Sequence, residues 1–86
     1  MASYEVSVAR SVQKVLSRVP KKDVQNIVSS IERLAQNPYP DGCRKLRGEE
    51  SVYRIRQGQY RIIYEVLSSR LVVLVLKVGH RKSVYR

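Results

Sequence analysis

Hydrophobic positions change their period along the chain, and each change marks an element. Tyr4-Glu5-Val6-Ser7-Val8 alternates apolar with polar and predicts a short first strand. Val12, Val15, Leu16 and Val19 then recur at i, i+3, i+4 and i+7, a helical stripe that runs to Pro20, which ends this helix or opens the next. The second helix has the cleaner pattern. Val24, Ile27, Val28, Ile31, Leu34 and Ala35 share one face, Lys22, Gln25, Asn26, Ser29, Glu32, Arg33 and Gln36 surround them, and Asn37-Pro38 stops the helix. Residues 37–48, NPYPDGCRKLRG, combine two prolines, an Asp-Gly pair and a closing glycine, and predict a loop with a basic end. Val52–Gln57 returns to alternation, Gly58-Gln59 suits a two-residue hairpin turn with glycine first, and Tyr60–Leu67 forms the return strand. After Ser68-Ser69 the stretch Arg70–Val78 is apolar on both faces, as expected of a central strand.

This order, β-α-α-β-β-β, predicts an α+β fold in a single domain over residues 1–86: a small, mainly antiparallel sheet with the helix pair packed on one face. Both helices need a surface on which to bury a stripe, and only one sheet is available. The opposite sheet face is therefore expected to be open or shallowly covered.

The hairpin determines what that face carries. With a two-residue turn at 58–59, Arg56 lies across from Arg61, and Tyr53, Ile55, Tyr60, Ile62 and Tyr64 point toward the helices. Arg54, Arg56, Arg61, Ile63 and Glu65 then share the other face. A directly opposed pair of like charges costs stability. One reading is a bound anion that offsets the cost, since guanidinium forks match phosphate bidentately; the other is a set of solvated arginines with Glu65 neutralising one.

Charge supports a polyanionic partner. Seventeen Lys and Arg against seven Asp and Glu give a net +10. Residues 44–86 hold eleven of the cations and three of the acids. The end of the chain, VGHRKSVYR, is a second concentration: Gly79 lets the backbone bend, so residues 80–86 are expected either to fold over the open face, bringing His80, Arg81 and Tyr85 to the arginines, or to fray.

Composition excludes several chemistries. Cys43 is the only cysteine, so there is no intrachain disulfide and no thiolate zinc cluster. No Gly-rich phosphate loop, HExxH or carboxylate cluster is present, so neither a metal nor a cofactor is expected. MASYEVSVAR lacks the pattern of a secretory leader, and the longest apolar run, Leu71–Leu76, is far short of the roughly 20 residues of a membrane helix. A cytoplasmic protein without membrane association is expected. What remains is metal-free phosphate chemistry, in which arginines stabilise a phosphorane and a Tyr or His moves the proton.

KLRG (45–48), YRIRQGQYRIIYEV (53–66), LVVLVLKVGHRKSVYR (71–86) and the helix-ending NPYPDG (37–42) resemble the RelE/ParE toxin superfamily, and within it the RelE branch. The resemblance implies the toxin of a type II toxin–antitoxin system, an endoribonuclease that cuts messenger RNA in the ribosomal A site by attack of a ribose 2′-hydroxyl on the adjacent phosphodiester. By position it implies Tyr85 as general base, with Arg56, Arg61 and Arg81 stabilising the phosphorane. Lys45, Arg47, Arg54 and Lys82 would bind RNA, and His80 or Arg81 would serve as general acid. It further implies a cognate antitoxin in a hetero-oligomeric complex. The chain ends one residue after Tyr85, so the extra C-terminal helix of some members is not expected. Two other classes compete: a ParE-type inhibitor of DNA gyrase without nuclease activity, and a non-catalytic nucleic-acid-binding module.

Overall fold

The computed structural model describes residues 3–82. β1 (Glu5–Val8) leads into α1 (Arg10–Leu16) and α2 (Lys21–Arg33), followed by β2 (Arg44–Lys45), β3 (Val52–Gln57), β4 (Tyr60–Leu67) and β5 (Val72–His80). Among the described residues five strands form one sheet in the order β1-β5-β4-β3-β2, with β1 parallel to β5 and the other pairings antiparallel. The expected two-layer arrangement is present, with β5 between two neighbours as its two-sided apolarity predicts.

The hairpin register follows from the turn. Gly58 has φ +61° and Gln59 has no positive φ, the pattern of a glycine-first turn, so Gln57 pairs with Tyr60, Arg56 with Arg61 and Tyr53 with Tyr64. Ile55, Ile62, Tyr64, Val66, Val73, Val75 and Val78 consequently face the helices and close a core over Val12, Ile27, Ile31 and Leu34. The Tyr64 hydroxyl, fully buried, donates a 2.7 Å hydrogen bond to the Pro38 carbonyl, which anchors the turn after α2 to the centre of the sheet.

Four features depart from the sequence pattern. The loop 37–48 contains β2, a two-residue edge strand too short to show a period. β5 starts at Val72 rather than Arg70, because Ser68–Leu71 closes a turn with Leu71 N–H on the Ser68 carbonyl, and it continues through Gly79 to His80. Ile63 pairs with Lys77 but Tyr64 with Val75, so Leu76 is a bulge that flips the parity of β5; Val75 and Val78 both point to the core in consequence. Val15 and Val28, assigned to helix stripes, are both 36% exposed, while Ser30 is buried and its hydroxyl bonds the Gln57 side chain. α2 is thus rotated so that its seam runs through Ile27, Ser30, Ile31 and Leu34.

The face away from the helices is shallowly covered at its middle. Leu46, tied by its N–H to the Val52 carbonyl at 2.9 Å, packs with Leu76 over Val52 and Ile63.

Candidate functional site

At the turn end of that face the side chains change from apolar to cationic. Pairing places Arg56, Arg61 and Gly79 in one row across β3, β4 and β5, and Arg44, Arg54, Ile63 and Lys77 in the next. Val66 N–H bonds the Ser51 carbonyl, so the hydrogen-bonded positions of the hairpin are the odd residues of β3. Arg56 and Arg61 therefore form a non-hydrogen-bonded pair, the closer of the two kinds. Arg56 is exposed and Arg61 half-buried. Gly79 beside Arg61 contributes no side chain to the row.

Glu65 does not neutralise the row. Its carboxylate accepts a 3.1 Å hydrogen bond from the Ser51 hydroxyl. It also stands four residues along β4 from Arg61, about 13 Å at ~3.3 Å per residue.

The remaining candidates divide. Arg81 N–H donates to the Gln59 carbonyl at 2.8 Å, which pins residue 81 to the hairpin turn at the end of the sheet that carries Arg56 and Arg61. Its side chain is exposed, as are those of Lys45, Arg47 and Lys82. Arg47 follows Leu46 in the segment that covers the arginine face, whereas Lys45 pairs with Tyr53 and so has helix-side parity at the sheet edge. Lys82 N–H caps His80 Nδ1 at 3.3 Å. Tyr85 lies outside the described residues.

His80 does not join the arginines. β5 continues straight through Gly79, so His80 pairs with Tyr60 and shares its helix-side face, ring against ring at 5.9 Å between centroids. Its Nε2 lies 3.1 Å from Gln59 Oε1. With Nδ1 accepting from Lys82 N–H, the proton sits on Nε2 and is directed at that amide oxygen. The expected bend at Gly79 is absent, and with it the placement of His80 over the site.

Sequence patterning missed a second group. A cleft of about 400 Å³ opens at the outer edge of β3, lined by Arg33 from α2, Asp41, Arg44, Arg54, Arg56 and Gln57 among others. It exists because Pro40–Cys43 turns, with Cys43 N–H on the Pro40 carbonyl and Gly42 at φ +88°, carrying the chain away from β3 before it can pair with Arg56. The only signal in the sequence was the turn-rich NPYPDG with Arg44 two residues beyond it.

Three tyrosines sit behind the site. Tyr39 packs edge-on to Tyr53 at 5.1 Å, and Tyr53 stacks on Tyr64 at 6.0 Å. Burial, reinforced by neighbouring Cys43 and the other tyrosines, raises the Tyr64 hydroxyl far above its usual range, and burial raises Tyr39 in the same direction. Both stay neutral hydrogen-bonding groups at physiological pH.

The model of the ParE toxin of type II toxin–antitoxin systems matches residues 4–85. Toxin RelE3 of Methanocaldococcus jannaschii is 32% identical over 85 residues, 94% of each chain. Among solved structures, the RelE–RelB complex of the archaeon Pyrococcus horikoshii matches with a TM-score of 0.84 and 30% identity over 94% of this chain and 98% of that one. The toxin–antitoxin complex RelBE2 of Mycobacterium tuberculosis matches with a TM-score of 0.82 and 25% identity over 94% of both.

Proposed function

Since the chain belongs to the RelE/ParE family of type II toxins, we propose that it is a RelE-type endoribonuclease that cuts messenger RNA in the ribosomal A site without a metal. The observation that carries this reading is the Arg56–Arg61–Gly79 row, flanked by Arg54, on the sheet face the helices leave uncovered. An inhibitor acting only through protein contact has no use for two opposed guanidiniums on neighbouring strands. A phosphorane, doubly anionic and trigonal bipyramidal, does.

In this mechanism Tyr85 removes the proton from the 2′-hydroxyl, whose oxygen attacks the adjacent phosphorus. The P–O5′ bond breaks, leaving a 2′,3′-cyclic phosphate and a 5′-hydroxyl. Arg56 and Arg61 hold the non-bridging oxygens as charge builds, a contribution that grows from ground state to transition state. Arg81, whose backbone is tied to the hairpin turn, is the candidate for protonating the leaving 5′ oxygen in preference to His80, which packs on Tyr60 on the helix side. Arg54 and Arg47, with Lys45 and Lys82 at the periphery, bind RNA backbone. A cognate antitoxin that covers the cationic face would silence the toxin, as the RelE–RelB complexes of similar fold suggest.

The test is brief induction of the chain in bacteria with 5′-end mapping of total messenger RNA. Cuts inside translated codons that vanish when initiation is blocked support the proposal. Growth arrest with intact messages and broken or relaxed DNA would overturn it in favour of a gyrase poison.

A further inference from the structure

Among the described residues, four guanidiniums, those of Arg33, Arg44, Arg54 and Arg56, and one carboxylate, Asp41, line the cleft at the outer edge of β3. They come from three elements far apart in sequence, α2, β2 and β3, so the fold gathers them there. One carboxylate leaves the group at roughly +3, a concentration that repels itself and attracts a polyanion.

The floor adds donors. Leu46 N–H bonds the Val52 carbonyl, so the even residues of β3 turn their N–H and C=O groups outward, and β2 has already ended at Arg44, opposite Arg54. The Arg56 N–H therefore points into the cleft beyond the last paired residue. Gln57, its amide oxygen bonded by the Ser30 hydroxyl, is held with its NH₂ group as a further donor. Backbone N–H, side-chain amide and guanidinium forks are the groups that hold phosphate.

Arg54 and Arg56 belong both to the cleft and to the arginine face. A strand of nucleic acid whose phosphate sits at the Arg56–Arg61 row can thus continue over the edge of β3 without leaving positive charge. Arg61, Arg56 and Arg44 lie on successive strands, Arg44 level with Arg54 and so two residues along, about 12 Å in all at ~4.8 Å per strand and ~3.3 Å per residue. The volume, about 400 Å³, is within the range of small-ligand sites.

We propose that this cleft is a second phosphate subsite, which holds the RNA backbone of the nucleotide next to the cleaved bond and so sets the register of the strand across Arg56 and Arg61. The inference rests on the reading of the chain as a ribonuclease. Arg33 and Arg44 are positioning residues in it and take no part in the chemical step.

The experiment is fluorescence anisotropy of the purified full chain with a short labelled 2′-O-methyl oligoribonucleotide, which lacks the nucleophile and reports binding alone. Arg33→Ala/Arg44→Ala should weaken binding about tenfold, as expected for two exposed contacts. It should also reduce the slope of log K against log salt by about 0.7–1.4, for one to two phosphates released. Lys22→Ala removes an exposed cation at the other end of α2, eleven residues and about 16 Å from Arg33 at ~1.5 Å per residue, and should change neither. Arg33→Lys/Arg44→Lys, which keeps the charge, should restore the slope and serves if the alanine variant does not fold.

Binding by the double variant equal to that of Lys22→Ala overturns the proposal, as does a native chain that does not bind the oligonucleotide. Unchanged RNA binding with weakened binding of polyglutamate reassigns the cleft to an acidic polypeptide and overturns it too. Cleft-dependent RNA binding without translated-codon cleavage would sink the ribonuclease reading and leave the subsite standing; cleavage with cleft-independent binding would do the reverse.

Discussion

The Arg56–Arg61 pair should contribute a repulsion that opposes folding, and this can be measured in the free protein. The two residues form a non-hydrogen-bonded cross-strand pair, so their Cβ atoms lie about 4.5–5.5 Å apart. Guanidinium groups leaning apart to about 8 Å repel by about 0.5 kcal/mol at the dielectric of water, and by about 1 kcal/mol if half-burial of Arg61 halves the screening. Measured cross-strand pairs cover the same range. A double-mutant cycle of Arg56→Thr and Arg61→Thr cancels the β-propensity of threonine and isolates the coupling. By urea titration at low salt the coupling should be repulsive by about 0.5–1 kcal/mol, equivalent to roughly 2–8 °C in melting temperature for a domain of this size. It should fall toward zero at about 1 M sodium chloride, where the Debye length is near 3 Å. Inorganic phosphate should stabilise the native chain more than the Arg56→Thr variant. A coupling that is zero or attractive at low salt would refute the reasoning: the guanidiniums would then be stacked or separately solvated, and no bound anion would be needed to account for them.

Three further outcomes follow from other parts of the structure. Gly58→Ala forces a β-carbon onto φ +61° with nothing within 4 Å, so its cost is backbone strain alone; unfolding should show a loss of about 1–2 kcal/mol, and Gly58→Asn should recover part of it. Tyr64 has its ionisation raised by burial, so its folded-state advantage is complete below the unfolded value of about 10 and is lost as pH climbs above it. Stability measured from pH 8 to 11 should fall less steeply in Tyr64→Phe than in the native chain, and that variant should lose about 1 kcal/mol at neutral pH with the Pro38 hydrogen bond; equal slopes would remove Tyr64 as the titrating group. Tyr85→Phe should relieve growth arrest on induction while antitoxin binding in a pull-down is retained; persistent arrest would defeat the general-base assignment.

The parts of the fold legible in the sequence were those set by short-range rules. Alternation around Gly58-Gln59 was enough to pair Arg56 with Arg61, because one turn type fixes one register. The two-sided apolarity of residues 71–76 was enough to place β5 inside the sheet. Features set by distant partners were not legible. Ser30 faces inward because Gln57 is there to accept its hydrogen bond, and that displaces Val28 to the surface against its period. The Leu76 bulge exists only against β4. His80 was expected either to turn with Gly79 over the arginine face or to fray, but Tyr60 and Gln59 hold it in the strand. Arg33 and Arg44 resemble any solvated cations until the Pro40–Cys43 turn brings them to one cleft.

The parallel pairing of β1 with β5 has a consequence for how such a chain is made. β5 is the last strand to emerge during synthesis, yet it joins β1 on one side to the β4–β3–β2 ladder on the other. Until residues 72–80 are free to pair, β1 has no partner in the sheet and the cores of α1 and α2 have only half their floor. The longest-range contacts of the fold are thus its closing step, and such contacts form slowly. Gly79 follows Arg61 by eighteen residues, so at a synthesis rate of about 5–20 residues per second the row of Arg56, Arg61 and Gly79 stays incomplete for roughly 1–4 s after Arg61 is added.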